Sequence, residues 1–465
     1  MSQTLVMKFG GTSVGSAAAI RSLIEIVRAA RRDWAGVAVV VSAMSGVTDA
    51  LLHAAQAAEQ GETELPRATA VKLREKHHAA LLELAPGAAE VAAAIDAALD
   101  EFTALCHAIR VLGEASPRAL DAIASLGERL SAPLVAAALT QAGIAARAVD
   151  SAEVVVTDSV HQSATPDMEA TQARAEAVVV PLLAAGTVPV ITGFIGATRA
   201  GVVTTLGRGG SDFSAAIFGV ALRAGAVWIW TDVPGVMTAD PRVVREARTL
   251  PELTFREVSE LAFFGAKVLH PKTIRPVVER GIALWVKNTF QPEHPGTRIV
   301  PDNGAAQGAI RAVTAFRGQC IITLEGRGML GIPGIAARTF AAVARTKTSV
   351  SMISQASSEQ SICFVVPRAA AETVVHALED EFRLELARHD IDSITASHEC
   401  AVVTVVGAGM RHTPGIAGRV FGALGAAGVN VVVIAQGSSE CSISLTVEAA
   451  QADAAVKAIH GLIVG

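Results

Sequence analysis

Near its amino terminus the chain reads Leu5-Val6-Met7-Lys8-Phe9-Gly10-Gly11-Thr12-Ser13, and a helical pattern follows at residues 16–32. The first five residues predict a strand. Two glycines let the backbone approach a ligand closely, and the N-terminus of the following helix adds positive potential. Lys8, at the strand end, can reach phosphate oxygens. The spacing is not that of a Walker loop, so the stretch indicates either a phosphate-binding turn or a tight strand–helix connection.

The alternation of strand and helix continues to about residue 290. Further strands are predicted at 37–41, 188–191, 227–231 and 283–286. Residues 50–142 are predicted to be mostly helical, with breaks at Gly61, Pro66, Pro86-Gly87, Gly113 and Ser116-Pro117. Such alternation indicates an α/β fold, an αβα sandwich with a largely parallel sheet. Residues 291–307 are rich in Pro, Gly, Asn and Asp and are the predicted linker.

The part of the chain after the linker repeats itself. Residues 328–336 recur as 409–417, and residues 353–359 recur as 434–440, both at an offset of 81 residues. A period this long indicates a duplicated small domain, because the repeats of solenoids are about 20–50 residues long. Each copy reads strand, Pro-Gly turn, helix, strand, turn, strand, which fits a ferredoxin-like α+β unit.

A second glycine-rich stretch reads Thr205-Leu206-Gly207-Arg208-Gly209-Gly210-Ser211-Asp212, just before a helix predicted at 213–223. Arg208 offers a planar fork suited to a carboxylate. Ser211 or Asp212 could simply cap the helix, but a cap does not account for an arginine flanked by glycines. Glycine-rich loops at strand ends are where α/β folds bind ligands, so a binding site is favoured here.

Four other stretches are ambiguous when taken singly. They are residues 41–48 after a buried strand, 125–131 around Glu128, 230–242 and 264–271. Each has an ordinary explanation: Thr48 or Asp49 can cap the next helix, Asp, Pro and Gly are turn residues, and a lone helical Glu or Lys is usually solvated.

The composition favours a globular protein of more than one domain and argues against several other classes of protein. A chain of 465 residues predicts two or three domains, and 51% hydrophobic with 18% charged residues is typical of globular proteins. The net charge of -5 argues against a nucleic-acid partner. The five cysteines never fall at Cys-x-x-Cys spacing, so no zinc or disulfide framework is predicted. No signal peptide is predicted, and the apolar stretch 177–198 is interrupted by Pro181, Gly186 and Pro189, which favours a helix–turn–strand over a membrane span.

Taken together and in this order, the six stretches resemble the aspartate kinases of the amino-acid kinase superfamily, and the resemblance covers essentially the whole chain. The repeated units look like tandem ACT domains. The resemblance is nearest to the kinase half of the threonine-sensitive aspartate kinase–homoserine dehydrogenases, and it implies a monofunctional, cytoplasmic homodimer or homotetramer joined through its ACT domains. The implied domains are a catalytic domain at 1–297 and ACT domains at 309–396 and 397–465.

The resemblance implies transfer of a phosphoryl group from ATP, which carries Mg²⁺, to the β-carboxylate of L-aspartate. This is the first step of lysine, threonine and methionine biosynthesis. Lys8 and Asp212 are the implied catalytic residues, and no protein metal ligands are expected. The implied aspartate pocket consists of Ser42, Thr48, Glu128, Phe194, Arg208, Gly209 and Ser211, with Glu128 on the α-ammonium and Arg208 on the α-carboxylate. The implied nucleotide contacts are Lys8, Gly10, Gly11, Thr12, Ser13, Thr231, Asp232, Met237, Arg242 and Lys267.

The resemblance also implies allosteric residues, and the sequence differs from the family pattern at one position of the expected nucleotide site. The implied allosteric residues are Gln355, Ser357, Asn430 and Gln436, with threonine as the first choice of effector and lysine as the second. Met237 stands where relatives commonly have tyrosine, and this chain contains no tyrosine. The alternatives are a sister kinase acting on glutamate, acetylglutamate, carbamate or UMP, and a non-catalytic amino-acid sensor.

Overall fold

The computed structural model describes residues 4–264, 269, 271–301, 310–355, 360–410, 412–437 and 441–464. The chain forms two compact units. The first comprises Met1–Val236, Pro251–Phe255 and Val268–Pro301, and the second comprises Met237–Leu250, Arg256–Lys267 and Asp302–Gly465. The domain boundaries expected from the sequence stay predictions.

The first unit is built on an eight-stranded sheet with a small three-stranded sheet beside it. Its strands are β1 (Thr4–Phe9), β2 (Gly36–Val41), β3 (Ala146–Val149), β4 (Val156–Thr157), β5 (Val188–Thr192), β6 (Ile195–Thr198), β7 (Val203–Thr205), β8 (Ala226–Thr231), β9 (Glu252–Thr254), β10 (Ala283–Asn288) and β11 (Thr297–Val300). The large sheet has the order β3-β5-β2-β1-β8-β10-β11-β9, and only β10 and β11 pair antiparallel. The predicted, largely parallel sheet is confirmed.

Nine helices belong to the described part of this sequence region, and they are α1 (Ala17–Asp33), α2 (Val47–Glu59), α3 (Glu64–Leu84), α4 (Ala89–Leu112), α5 (Pro117–Gln141), α6 (Met168–Ala184), α7 (Gly210–Ala221), α8 (Phe255–Phe263) and α9 (Pro271–Glu279). Ser16 caps α1 by accepting a hydrogen bond from the Ala19 N–H at 3.2 Å. Ser116 caps α5 in the same way, and Pro117 occupies its first position, where no N–H is needed.

Three expectations about this region are wrong in detail. Pro66 does not break a helix, because it lies in the first turn of α3, where its missing N–H costs no hydrogen bond. The stretch predicted as a linker contains β11, which pairs with β10 and β9. The helix α7 begins with Gly210 after the cap Gly209, so Ser211 and Asp212 lie in its first turn and do not cap it.

Among the described residues, one helix, α5, is long and apolar enough to cross a membrane, but most of it is buried inside the protein, as a core helix would be. The stretch 177–198, which the sequence predicts as helix–turn–strand, forms the end of α6 followed by β5 and β6. Pro181 lies within α6 and does not end it.

The second unit contains both repeats. Its elements are β12 (Ala312–Glu325), α10 (Ile335–Arg345), β13 (Met352–Gln355), β14 (Ser361–Pro367), α11 (Ala371–Glu381), α12 (Arg383–Ala387), β15 (Ser393–Val406), α13 (Ile416–Ala426), β16 (Val433–Gln436), β17 (Ser442–Glu448) and α14 (Ala452–Val464). Each repeat shows the predicted strand–helix–strand–strand order, which α11 and α12 follow in the first repeat and α14 follows in the second. The two repeats share one antiparallel sheet of order β13-β14-β12-β15-β17-β16, joined by β12 and β15.

A segment that precedes the repeats in sequence, Met237–Leu250, packs within this second unit. Ala239 and Val244 share a hydrophobic cluster with Val420 and Ile459 of the second repeat. Thr238 Oγ1 lies 2.9 Å from His460 Nε2, and both side chains are buried. This earlier segment therefore contributes to the core of the repeated unit.

Candidate active site

A cleft of about 780 Å³ opens in the first unit where β1, β2 and β8 end. Carboxyl ends of parallel strands meet at one edge of a sheet, which is where open α/β folds bind ligands. The cleft brings together every site residue expected in this unit except Ser13: Lys8, Gly10, Gly11, Thr12, Ser42, Thr48, Glu128, Phe194, Arg208, Gly209, Ser211, Asp212, Thr231 and Asp232.

Lys8 and Asp212 form an ion pair at the centre of this cleft. Lys8 Nζ lies 2.6 Å from Asp212 Oδ1, and the two side chains are 11% and 17% exposed. Lys8 projects from β1, whereas Asp212 comes from the first turn of α7. The partly buried carboxylate thus fixes the direction of the ammonium group, which remains next to the glycine turn.

The glycine turn after β1 is held close to the neighbouring strand ends. The Gly10 N–H donates to the Trp230 carbonyl at 3.1 Å, and the Ser45 N–H donates to the Gly11 carbonyl at 3.0 Å. A Cβ at Gly11 would stand 3.0 Å from the Ala43 carbonyl oxygen, so the turn has little room for a side chain. The structure does not place Ser13 in the cleft, because its hydroxyl is buried 2.6 Å from Thr289 Oγ1.

Glu128 is a buried carboxylate in the wall of the cleft. It lies on α5 and is 3% exposed. Burial raises the pKa of Glu128 to about 8, although hydrogen bonds from the Ala43 N–H and the Ser211 hydroxyl and the charge of Lys8 act in the opposite direction. Its Oε2 atom accepts no hydrogen bond from any residue that the structure describes. A buried acceptor of this kind is suited to a cationic ligand group.

Arg208 stands on a loop that needs its glycines. Gly207 and Gly209 have φ of 76° and 72°, values that residues with a Cβ adopt at a cost. Arg208 itself is exposed, and it forms no ion pair within the described ranges. Phe194 closes the other side of the loop, with its ring so near that a Cβ at Gly210 would stand 2.5 Å from it.

The expected nucleotide contacts are only partly brought together. Thr231 ends β8 and Asp232 follows it, both in the cleft, and the Asn288 side chain donates to the Asp232 carbonyl at 3.3 Å. Met237 and Arg242 belong to the second unit, where Arg242 pairs with Asp240, so their contact with a nucleotide stays a prediction. Lys267 lies outside the described residues.

The expected allosteric glutamines occupy equivalent places. Gln355 ends β13 opposite Ile362, and Gln436 ends β16 opposite Ile443, so the 81-residue offset is kept in three dimensions. Both glutamines are exposed on the two edge strands of the shared sheet. Asn430 is exposed as well, and Ser357 lies outside the described residues.

Sequence reasoning missed two charged groups of the cleft: Asp49, which it considered only as a helix cap, and Asp121. Asp121 lies on α5 and lines the cleft together with Gln162 and Thr205. It stands seven residues before Glu128, a spacing that puts both carboxylates on one helix face. That spacing is the signal from which Asp121 could have been found.

No group of three His, Cys, Asp or Glu side chains that could hold a metal by itself occurs in the described ranges. The carboxylates Asp212 and Asp232 both line the cleft. This donor set fits a divalent cation that is bound mainly by a nucleotide, as Mg²⁺ usually is.

Comparisons with known proteins agree with this geometry. The chain matches the amino acid kinase family over residues 3–288 and the ACT domain over residues 322–382 and 403–462. The bifunctional aspartokinase/homoserine dehydrogenase 1 of Arabidopsis thaliana is 36% identical over 463 residues, which are 98% of this chain and 50% of that protein. The aspartokinase of Schizosaccharomyces pombe is 32% identical, over 98% of this chain and 92% of its own length.

This chain spans about half the length of the bifunctional relatives that it matches. The structure of E. coli aspartokinase III with aspartate and ADP superposes with a TM-score of 0.82 at 31% identity, covering 100% of both chains. The same enzyme with lysine and aspartate gives a TM-score of 0.80 at 32% identity, over 99% of this chain and 100% of that one. The predicted kinase fold followed by ACT domains is confirmed, and the protein belongs to the amino acid kinase family as one of its aspartokinases.

Proposed function

We propose that the chain transfers the γ-phosphoryl group of ATP to the side-chain carboxylate of L-aspartate, giving 4-phospho-L-aspartate. The observation that carries this proposal is the cleft itself. It combines a lysine–aspartate pair beside a glycine turn with a buried, incompletely bonded Glu128 and an exposed Arg208. The first two suit phosphates, whereas the last two suit the ammonium and carboxylate of a free amino acid. The relatives named aspartokinases support the same substrate.

The chemistry needs charge neutralisation more than proton transfer. A free aspartate side chain has a pKa of about 3.9, so the attacking carboxylate is already ionised near neutral pH and needs no general base. Its approach to a polyanionic phosphate is the difficulty, and Lys8 with the N–H groups of the glycine turn would stabilise the charge that develops during transfer. Asp212 holds Lys8 in place, 2.6 Å away. Mg²⁺ bound to ATP would neutralise further phosphate charge, with Asp212 and Asp232 as the carboxylates beside it.

Substrate binding is coupled to the protonation of Glu128. Because the pKa of Glu128 is raised to about 8 in the ligand-free cleft, its carboxyl is largely protonated at pH 7. An incoming α-ammonium group favours the ionised form, so aspartate binding releases a proton below pH 8. The KM for aspartate should therefore rise as the pH falls below 8, by at most about tenfold per pH unit.

The assignment is tested by incubating the chain with MgATP and L-aspartate and trapping the acyl phosphate with hydroxylamine. Aspartyl hydroxamate is the expected product. Turnover of N-acetylglutamate, carbamate and UMP, followed by the release of ADP, should be far lower, because none of them carries the α-ammonium group that Glu128 would bind. Equal turnover of N-acetylglutamate would indicate a sister kinase, and no turnover of any acceptor would indicate a non-catalytic sensor.

Regulation is proposed to act through the ACT repeats. Gln355 and Gln436 can each donate and accept hydrogen bonds, and both are exposed at equivalent edge-strand positions. A small amino acid bound there inhibits only if it favours a less active form of the enzyme, by roughly 1–3 kcal/mol. Threonine is the first choice, because the Ile-Ser-Gln and Ile-Ala-Gln stretches that end at Gln355 and Gln436 resemble those of threonine-responsive aspartate kinases, and lysine is the second, because E. coli aspartokinase III was crystallised with it.

The remaining assignments follow from the same family membership. We place the enzyme in the cytoplasm at the first step of lysine, threonine and methionine biosynthesis, as a homodimer or homotetramer joined through its ACT domains. Light scattering of the purified chain tests the assembly, and a monomer at micromolar concentration would contradict it.

A further inference from the structure

Asp121 is a buried carboxylate with several donors converging on it. It is 1% exposed, although an aspartate is seldom fully buried unless it is paired. Thr205 Oγ1 donates to its Oδ1 at 2.6 Å, and His161 Nδ1 lies 2.6 Å from its Oδ2. The Gln162 N–H lies 3.1 Å from both oxygens. Three donors from two separate segments therefore meet at one side chain.

These two segments form the base of the Arg208 loop. Thr205 ends β7, three residues before Arg208, while His161 and Gln162 lie between β4 and α6. The segments are also joined directly, since the Ala164 N–H donates to the Thr205 carbonyl at 2.9 Å. A Cβ at Gly207 would stand 2.7 Å from the Gln162 carbonyl oxygen. A shift of Gln162 would therefore displace Gly207 and the residue that follows it.

Besides this base, the Arg208 loop is held by the Leu206 N–H, which donates to the Phe194 carbonyl at 3.0 Å, and by the Gly210 N–H, which donates to the Gly207 carbonyl at 2.9 Å. The Arg208 side chain is exposed without an ion partner in the described ranges, and the glycines on both sides make the loop intrinsically flexible. The backbone ties therefore set its position, and those at the start of the loop are the ones that lead to Asp121.

We propose that Asp121 is a positioning residue that fixes the Arg208 loop relative to Glu128. The two carboxylates are seven residues apart on α5, about two helical turns, so they lie on one face of a single rigid element. One helix thus sets the distance between the group expected to bind the α-carboxylate of aspartate and the group expected to bind its α-ammonium. This inference deepens the proposed function and rests on it.

The test begins with Asp121→Asn, which keeps the shape of the side chain but turns an N–H group toward the donors. We expect the KM for aspartate to rise about tenfold to a hundredfold, the scale on which misplaced binding groups act. The KM for ATP should stay within about twofold of wild type. Asp150→Asn is the matched control: Asp150 likewise ties α5 to another segment, since it accepts a hydrogen bond from Arg129 Nε at 2.8 Å, and it does not line the cleft. The control should leave both KM values unchanged.

A substrate analogue separates positioning from general loosening. The α-amide of L-aspartate lacks the carboxylate that Arg208 would bind. If Asp121 acts through Arg208, the penalty of Asp121→Asn should shrink to about threefold or less with this analogue. An equal penalty for both substrates, or an equal rise in the KM values for aspartate and ATP, would overturn the proposal.

Hydrogen exchange supplies a readout that needs no substrate. In the ligand-free protein, Asp121→Asn should speed exchange of the amides at 206–210 about tenfold or more, whereas Asp150→Asn should not. Thr205→Val removes one tie without a change of shape, and it makes the same measurement possible if Asp121→Asn does not fold. If the amides at 206–210 exchanged at the wild-type rate in the folded variants, the proposed link between Asp121 and the Arg208 loop would be wrong. A wild-type chain that yields no aspartyl hydroxamate would instead overturn the proposed function, while the exchange result would still decide the tie.

Discussion

Charged side chains are used differently in the cleft and on the surface of the second unit. Four charged groups of the cleft are buried or nearly so: Glu128 is 3% exposed, Asp121 is 1% exposed, and Lys8 and Asp212 form a partly buried pair. In the second unit, Arg338 lies on the surface between Glu381 and Glu385, and Arg317 pairs with Asp453 in solvent. Burying a charged group costs hydration, so such groups are retained where a ligand binds them. Exposed ion pairs contribute little to the stability of the fold.

The largest effect that we expect from this contrast is the loss of kcat when Lys8 is replaced. Lys8→Ala removes positive charge where negative charge develops during transfer, so kcat should fall by about 10²-fold or more in the hydroxamate assay. Arg317→Ala is the control, because it removes an equal charge from an exposed pair. Its kcat should stay within about twofold of wild type. If Lys8→Ala kept a near-wild-type kcat, the phosphate role of Lys8 would be wrong.

The next effect separates binding from stability at Glu128. Glu128→Gln should raise the KM for aspartate by about tenfold or more, since a neutral amide holds an ammonium group less well. It should also stabilise the ligand-free protein at alkaline pH. The folded-state pKa of Glu128 is about 8 against a usual 4.5, so the folded form binds more protons between these values. The free energy of unfolding of the wild type therefore falls as the pH rises through this window. The variant has no carboxyl at this position, so its free energy of unfolding does not fall for this reason.

Calorimetry at pH 5 and pH 8.5 measures this second effect. The stability of Glu128→Gln relative to wild type should grow between the two values, by at most about 1.4 kcal/mol per pH unit. A gap that does not change with pH would mean that Glu128 is ionised in the empty cleft.

A smaller effect concerns the equivalent glutamines of the repeats. Gln355→Ala and Gln436→Ala should each raise the threonine concentration for half-inhibition by roughly threefold to tenfold, the scale of one lost hydrogen bond. Both variants should keep wild-type activity when threonine is absent. Gln172→Ala, on α6 in the first unit, is the control, and threonine should inhibit it as it inhibits the wild type. Wild-type activity that ignores threonine at about 10 mM, well above ordinary regulatory Kd values, would leave lysine as the effector to be tried.

The smallest effect is expected at Arg338. It pairs with Glu381 and Glu385 and stacks over the Phe382 ring at 4.6 Å, but 40% of its side chain is exposed. Arg338→Ala should lower the free energy of unfolding by about 1 kcal/mol or less. Urea denaturation followed by circular dichroism measures this change. A loss above about 3 kcal/mol would show that surface charge matters in the second unit as much as it does in the cleft.

Much of the first unit could be predicted because each signal is local. The strand β1 and its glycine turn are adjacent in sequence, and the same holds for β7 and the Arg208 loop. Parallel strands then bring their carboxyl ends to one edge without further information. Asp121 was missed because a lone aspartate on a helix usually faces solvent, and its partners are 40 and 84 residues away.

Features that depend on packing between distant parts of the chain could not be predicted from the sequence. The strand β11 is short and lies among prolines and glycines, so its neighbours in the sheet decide that it forms. The 81-residue offset revealed two repeats, but a strand pattern does not name its partner, and the pairing of β12 with β15 could not be foreseen. Residues 237–250 look like part of the kinase sequence, and only packing assigns them to the second unit.

That central pairing has a consequence for how the protein is made. The strand β12 can pair with β14 as soon as the first repeat has left the ribosome, but its other edge waits for β15 in the second repeat. At about 5–20 residues per second, synthesis of the 81-residue offset takes roughly 4–16 seconds. During this time the nascent chain carries an open strand edge, a template for pairing with other chains. Slowing translation after Glu325 should therefore increase aggregation of newly made protein without changing the stability of the finished molecule.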